Sequence, residues 1–300
     1  MTELPRSGPG GVLVVPLRGL PEVGAGADLA RFLLDGLAAA DVVLADGDCL
    51  VVSSKVVSKA LGLTWDGPRE EAVDAATRRV VAERRTPGGL TRVVEAAAGP
   101  VMAAAGVDAS NTGPSGAVLL LPENPDAEAA SLRDALLAAS GLGPSAALGV
   151  VLSDTAGRPW RAGLTDFALG VAGLDALDDL RGGTDHDGRP LAVTARAVAD
   201  EVAAAADLVK GKADGVPAAL VRGLPSGWFT GGAEGARGLV RTGPGDWFAL
   251  GHVEAVRAAL GAPPGSVEAA EVGITATVPE PLADRVGRVV ALALLDVPDG

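Results

Sequence analysis

Four tryptophans, four phenylalanines and no tyrosine serve a chain of 300 residues. Hydrophobic residues still make up 48% of it, so the chain can bury a core, but one built from Ala, Val and Leu. The single cysteine, Cys49, lies inside the apolar run CLVV and reads as a small buried core residue. A lone cysteine excludes an internal disulfide and a Cys-rich zinc site. The two histidines, His186 and His252, exclude a multi-histidine metal centre and read as surface residues.

The formal net charge of −13 argues against a broad surface for nucleic acid or anionic membrane. There is no signal-peptide pattern and no apolar run of spanning length, so the expected location is the cytoplasm. Residues 1–10 read as a loose tail, 11–250 as the main domain and 251–300 as an appended segment of helices and a Pro/Gly-rich linker.

Short apolar runs alternate with helical patterns, which indicates a mixed α/β (α+β) fold. Val12–Pro16, Cys49–Val52, Val118–Leu121, Ala147–Leu152 and Pro217–Val221 read as strands. Asp28 precedes Leu29, Phe32, Leu33 and Leu37 at helical spacing. Residues 69–85 read as a charged surface helix, Asp126 as the cap of a helix running to about Ser140, and 194–209 as an Ala-rich helix.

Three polar segments follow apolar runs, where ligands of α/β sheets gather. In Ser53-Ser54-Lys55 through Lys59, hydroxyls and ammoniums can hold phosphate oxygens, although a solvated polar turn reads the same way. In Asp108-Ala109-Ser110-Asn111, the carboxylate suits Mg²⁺ or Mn²⁺ and the amide suits a base or ribose; a turn stabilised by its own Asp and Asn is the plain alternative. Ser153-Asp154-Thr155 is the sharpest, since adjacent carboxylate and hydroxyl can hold a divalent ion against phosphates. Arg158 and Arg161, flanking Trp160, suit a carboxylate or phosphate substrate. Asp154 as a helix cap is the alternative there. Asp185, Asp187, Asp200 and Glu201 are further acidic candidates. There is no P-loop, no complete dinucleotide fingerprint and no G-x-S-x-G elbow, so any nucleotide site is of another design.

Taken in order, GLPEV, GDCLVVSSKVVSK, AAAGVDASN, LLLPENPDAEAASLR, SDTAGRPWRAGLTDFALGVAG, GRPLAVT, ADEVAAAADLVKGKADGVP and VRG resemble the coenzyme F420-0:L-glutamate ligase (γ-glutamyl ligase) family over about residues 11–250. The resemblance implies an intertwined homodimer and a GTP-dependent ligation of L-glutamate to coenzyme F420-0, with further γ-linked glutamates possible. It implies Mg²⁺ or Mn²⁺ at one or two sites, and K⁺ as an optional further ion. Leu20, Pro21, Glu22, Val23, Ser54, Lys59, Asn111, Gly211 and Lys212 then match GTP-contacting positions. Asp108 and Asp154 match ligands of one metal, and Thr155 a ligand of a second. Arg158 and Arg161 join Asp108 and Asp154 as catalytic candidates. Lys212 stands where relatives carry Gln or Glu for the second metal, and Ala76 stands where an acidic residue is usual. These departures keep open a weakened nucleotide-binding regulator, beside a metal-dependent phosphatase or nucleotidyltransferase. The 55 or so residues after the match are too few for a flavin-binding reductase domain of about 150, so no FMN site is expected.

Overall fold

Strands whose residues are apolar on both sides must be covered on both faces, and this is how the apolar runs at 49–52 and 148–152 are placed. The computed structural model describes residues 11–109, 118–211, 214–232, 234–243 and 246–295. In chain order the elements are β1 (Leu13–Pro16), α1 (Leu29–Ala39), β2 (Asp48–Ser53), α2 (Ser54–Ala60), β3 (Thr64–Trp65), α3 (Arg69–Ala75), β4 (Thr77–Thr86), β5 (Gly89–Ala96), β6 (Val101–Ala103) and β7 (Val118–Leu119). They continue with α4 (Pro125–Ser140), β8 (Leu148–Arg158), β9 (Arg161–Ala172), β10 (Asp178–Asp179), β11 (Ala195–Arg196), α5 (Val198–Lys210), β12 (Ala218–Arg222), α6 (His252–Ala259), α7 (Val267–Val272) and α8 (Leu282–Ala293). The mixed α/β class is as the sequence indicates. Among the described residues, no helix is long and apolar enough to cross a membrane.

The chain divides into two units, Met1–Asp66 with Asp108–Val240 and Gly67–Val107 with Arg241–Gly300. The first is built on a five-stranded sheet of order β1-β12-β2-β8-β9. Only β2 and β8 run parallel; the other pairings are antiparallel. Strand alternation sorts its core into two layers. Leu50, Val52, Leu148, Val150 and Leu152 pack with Leu33 and Leu37 of α1, Val56 of α2 and Leu136 of α4. Cys49, Val51, Val151 and Ala219 pack on the other side with Ala199, Ala203 and Ala206 of α5. The alanine face of α5 replaces the missing aromatics by close approach. Burial pushes the Cys49 thiol far up, with the Asp48 charge adding to it. Asp48 itself is fully buried but takes a two-pronged ion pair from Arg222, Nε to Oδ1 at 2.7 Å and Nη2 to Oδ2 at 2.7 Å, which fastens β2 to β12.

Helix α1 is capped by Asp28, whose Oδ1 accepts the Arg31 amide at 3.0 Å. The expected cap of α4 is displaced by two residues. Asn124 Oδ1 accepts from the Ala127 amide, Pro125 occupies the first turn, and Gly141 ends the helix with φ 78°. Asp126 instead accepts the amides of Val171, Ala236 and Arg237, joining α4, β9 and a 3-10 turn at 236–239.

The second unit corrects the reading of 69–85 as one helix. Helix α3 stops at Ala75, and residues 77–86 form β4, paired antiparallel with β5. Thr77, Val80 and Val81 favour a strand once GLTRVVEA returns beside them, and the charges that imitate a surface helix are cross-strand partners: Glu83 takes the Arg92 guanidinium at 3.0 Å. Glu83 and Glu254 are both buried. Glu83 Oε2 accepts the Gly265 amide at 3.1 Å, while Glu254 Oε1 accepts the Glu83 amide at 3.1 Å and pairs with Arg84. Residues after 241 are thus held on β4 by a network of charges.

β9 packs closely on α4 at Gly170, where an added Cβ would fall on the backbone carbonyl of Pro125. Gly170→Ala is expected to destabilise the protein by about 1–3 kcal/mol, read as a lower urea midpoint; an unchanged midpoint would contradict this packing.

Candidate active site

A cleft of about 420 Å³ opens where β2 and β8 end. Parallel pairing sets the two carboxyl ends level, with Ser53 in register with Ser153. From there the strands diverge in fate. β2 turns at once into α2, whose Lys55 and Lys59 stand one helical turn apart and both line the cleft. β8 continues into a long hairpin with β9.

The alternation that sorts the core continues past it. Leu148, Val150 and Leu152 face α1 and α4, so Asp154 faces that side too. There Lys55 Nζ lies 2.5 Å from Asp108 Oδ2, and Asp154 feels both charges. Burial pushes the Asp154 carboxyl up to about 6; the Thr155 amide draws it down, Asp166 raises it, Lys55 lowers it and Asp108 raises it again. Asp154 is therefore a carboxylate short of positive charge. Lys59 pairs with Glu22 at the rim.

Ser153 and Thr155 belong to the opposite side, with Val151 and α5. Both hydroxyls donate to Asp166 of β9, Ser153 Oγ to Oδ2 at 2.9 Å and Thr155 Oγ1 to Oδ1 at 2.7 Å. Lys210 Nζ donates to Asp166 Oδ2 at 2.7 Å and to Ser153 Oγ at 2.7 Å. Burial pushes the Asp166 carboxyl up, but the Lys210 charge and the three hydrogen bonds outweigh it and hold it below the usual carboxylate range. Two carboxylates on adjoining strands, Asp166 buried and Asp154 half-buried, thus lie in opposite electrostatic states.

Of the expected residues, Leu20, Pro21, Glu22, Val23, Lys59, Asp154, Thr155 and Gly211 line the cleft, and Asp108 reaches it through Lys55. Ser54 does not line it: its side chain is buried and its Oγ has no hydrogen-bond partner among the described residues, while Ser53 and Lys55 on either side do the lining. Arg158 and Arg161 face each other across the Pro159-Trp160 turn at the exposed hairpin tip. Arg158 lies four residue steps beyond Asp154, about 13 Å of extended strand. Trp160 is 82% exposed with φ 57°. Asn111 and Lys212 lie outside the described residues. Asp200 accepts the Ala168 amide at 2.9 Å and Asp185 closes a turn with Asp187 and Arg189, so neither joins the cleft.

Asp166 and Lys210 escaped sequence reasoning. Lys210 follows Ala199, Ala203 and Ala206 on the buried face of α5, so its spacing carried a signal. Asp166 becomes visible only once β8 and β9 are paired, because it then stands opposite Thr155.

The family model described as F420-0:Gamma-glutamyl ligase matches residues 19–223. A protein of Halobacterium salinarum named coenzyme F420:L-glutamate ligase is 41% identical over 251 residues, covering 76% of this chain and 92% of that protein. One of the same name from Methanothermobacter thermautotrophicus is 40% identical over 234 residues, covering 72% and 91%. One from Halorubrum lacusprofundi is 38% identical over 251 residues, covering 76% and 92%. A mixed α/β sheet with a charged cleft at its carboxyl-end switch is thereby placed in the class of carbon–nitrogen bond-forming ligases. The chain belongs to the F420-0:γ-glutamyl ligase family.

Because the folded Asp154 carboxyl lies above its usual value of about 4, its ionisation costs stability as pH rises from about 4 towards 6, and the cost is complete above that. In protein free of ligands, Asp154→Asn is expected to melt about 2–4 °C higher than the unaltered chain at pH 7.5, after allowance for the cleft's partial opening to solvent. The gap should close below pH 4. A calorimetric series with no gap at any pH would contradict the burial account.

Proposed function

We propose that this chain attaches L-glutamate to coenzyme F420-0, with GTP as the activating co-substrate and Mg²⁺ or Mn²⁺ as an essential ion. The observation that carries the reading is the Lys55–Asp108 ion pair, whose two charges both act on Asp154, in a cleft lined by Asp154, Lys55, Lys59 and the Leu20–Val23 stretch. The family and the names of the relatives support the substrates.

The donor set fits a hard divalent cation. Asp154 is half-buried, and loss of solvent raises its pKa despite the Lys55 charge, while the Asp108 charge acts on it too. Among the described residues no three His, Cys, Asp or Glu side chains gather into a metal-holding group. This suits an ion bound by one or two carboxylates and completed by substrate phosphates. Asp108 and Asp154 would hold it, and it would neutralise phosphate charge while phosphoryl transfer proceeds.

The chain's own residues position and neutralise. Lys55 and Lys59 offer ammonium groups to phosphate oxygens, and the Leu20–Val23 stretch and Gly211 wall the nucleotide. The acceptor carboxylate attacks the γ-phosphorus of GTP, and GDP leaves with the electron pair of the broken P–O bond. The acyl phosphate that results is attacked by the glutamate amine, which loses a proton as inorganic phosphate departs. No protein nucleophile is needed. Arg158 and Arg161 at the hairpin tip are assigned to the anionic acceptor. A homodimer, a cytoplasmic setting and extension by further γ-linked glutamates belong to the same reading.

Asp154→Ala and Asp108→Ala are each expected to lower ligation at least about 100-fold, with product followed by mass spectrometry. GTP consumption should require both glutamate and the deazaflavin acceptor. Unaltered turnover by Asp154→Ala would sink the ion assignment, and GTP hydrolysis indifferent to acceptor would point to a phosphatase.

A further inference from the structure

The reaction outlined above uses the α1 face of the β8 end and leaves the α5 face unexplained. That second face carries an unusual arrangement. Lys210 is 3% exposed, yet it forms part of the cleft wall rather than the middle of the core. Its ammonium lies 2.7 Å from Ser153 Oγ and 2.7 Å from Asp166 Oδ2. Asp166 also takes the Thr155 hydroxyl at 2.7 Å, so the oxygens of Ser153, Thr155 and Asp166 are drawn together on one side of the hairpin.

A cluster of one carboxylate and two hydroxyls, open on one side to a cleft, has the character of a half-shell for a hard cation. Here an ammonium fills it. Merely structural bridges of this kind are often replaceable by apolar side chains without loss, and the neighbouring positions of α5 are apolar. The bridge therefore calls for a role in the cleft. An ammonium brings one positive charge to that place permanently, without dependence on the supply of free ions.

We propose that Lys210 is a built-in cation: its ammonium occupies the position on the α5 face of β8 that a second divalent ion would otherwise take. The loaded protein then holds a single divalent ion, on the Asp108–Asp154 face. Thr155 is a hydrogen-bond donor that orders Asp166 and not a ligand of a second metal. This rests on the reading of Asp108 and Asp154 as an ion site, and Lys210 is a positioning residue rather than a catalytic one.

The test counts ions and needs no turnover. Mn²⁺ is titrated into the full chain with a non-hydrolysable GTP analogue, and free Mn²⁺ is read by its paramagnetic resonance signal. The unaltered chain should bind one equivalent. Lys210→Ala should bind two, because Asp166, Ser153 and Thr155 are released to ligate, and Lys210→Ala with Asp166→Asn should return to one. If Lys210→Ala does not fold, Lys210→Gln replaces it, since the amide keeps a donor towards Asp166 and removes the charge; it too should bind a second equivalent. Two equivalents in the unaltered chain, or one in the folded Lys210 variant, would overturn this inference and leave the Asp108–Asp154 reading standing. No Mn²⁺ bound by either protein would overturn both.

Discussion

Everything in the cleft depends on the parallel pairing of β2 with β8. It is the sole parallel pairing in the five-stranded sheet, and it brings two carboxyl ends to one level. An antiparallel neighbour would have sent one of them to the far side of the sheet. With Ser53 beside Ser153, the helix that leaves β2 and the hairpin that prolongs β8 start from the same point. Lys55 and Lys59 from the one and Asp154 from the other then line the same cleft without long loops to position them.

The period of two that builds the core also distributes the chemistry. One set of β8 side chains meets α1 and α4, and the other meets α5. Carried two residues further, the first set delivers Asp154 and the second delivers Ser153 and Thr155. The carboxylates on either side are treated differently. Asp166 is supplied with an ammonium and two hydroxyl donors and stays ionised, while Asp154 is half-buried with too little counter-charge. A side chain held in such deficit stores an attraction for an incoming cation. The sheet thus separates a satisfied site from an unsatisfied one by the thickness of a single strand.

Much of the first unit could be read from the chain alone. The apolar runs that became β1, β2, β8 and β12 are short and bounded by turns, and α1 and α5 carry clear apolar faces. The ends of the strands marked the cleft because polar residues following an apolar run have few other reasons to be there. What was hidden is non-local. Residues 77–86 look helical by charge until β5 lies beside them, and SDTAGRPWR reads only as a polar segment beyond a strand until β9 pairs with it. Asp166 is a consequence of that pairing. The shift of the α4 cap from Asp126 to Asn124 was hidden for another reason: Asp126 finds better partners in β9 and in the 236–239 turn, which no local rule foresees.

The enclosure of Cys49 has a practical side. Its thiol is fully buried against α5, and burial raises its pKa well above the ordinary thiol range. Maleimides and other alkylating dyes act on accessible thiolates, so the natural chain offers them nothing to label. A cysteine introduced at an outward position would be the sole reactive handle on the molecule, and a fluorophore or spin probe could be attached there without first removing any native residue.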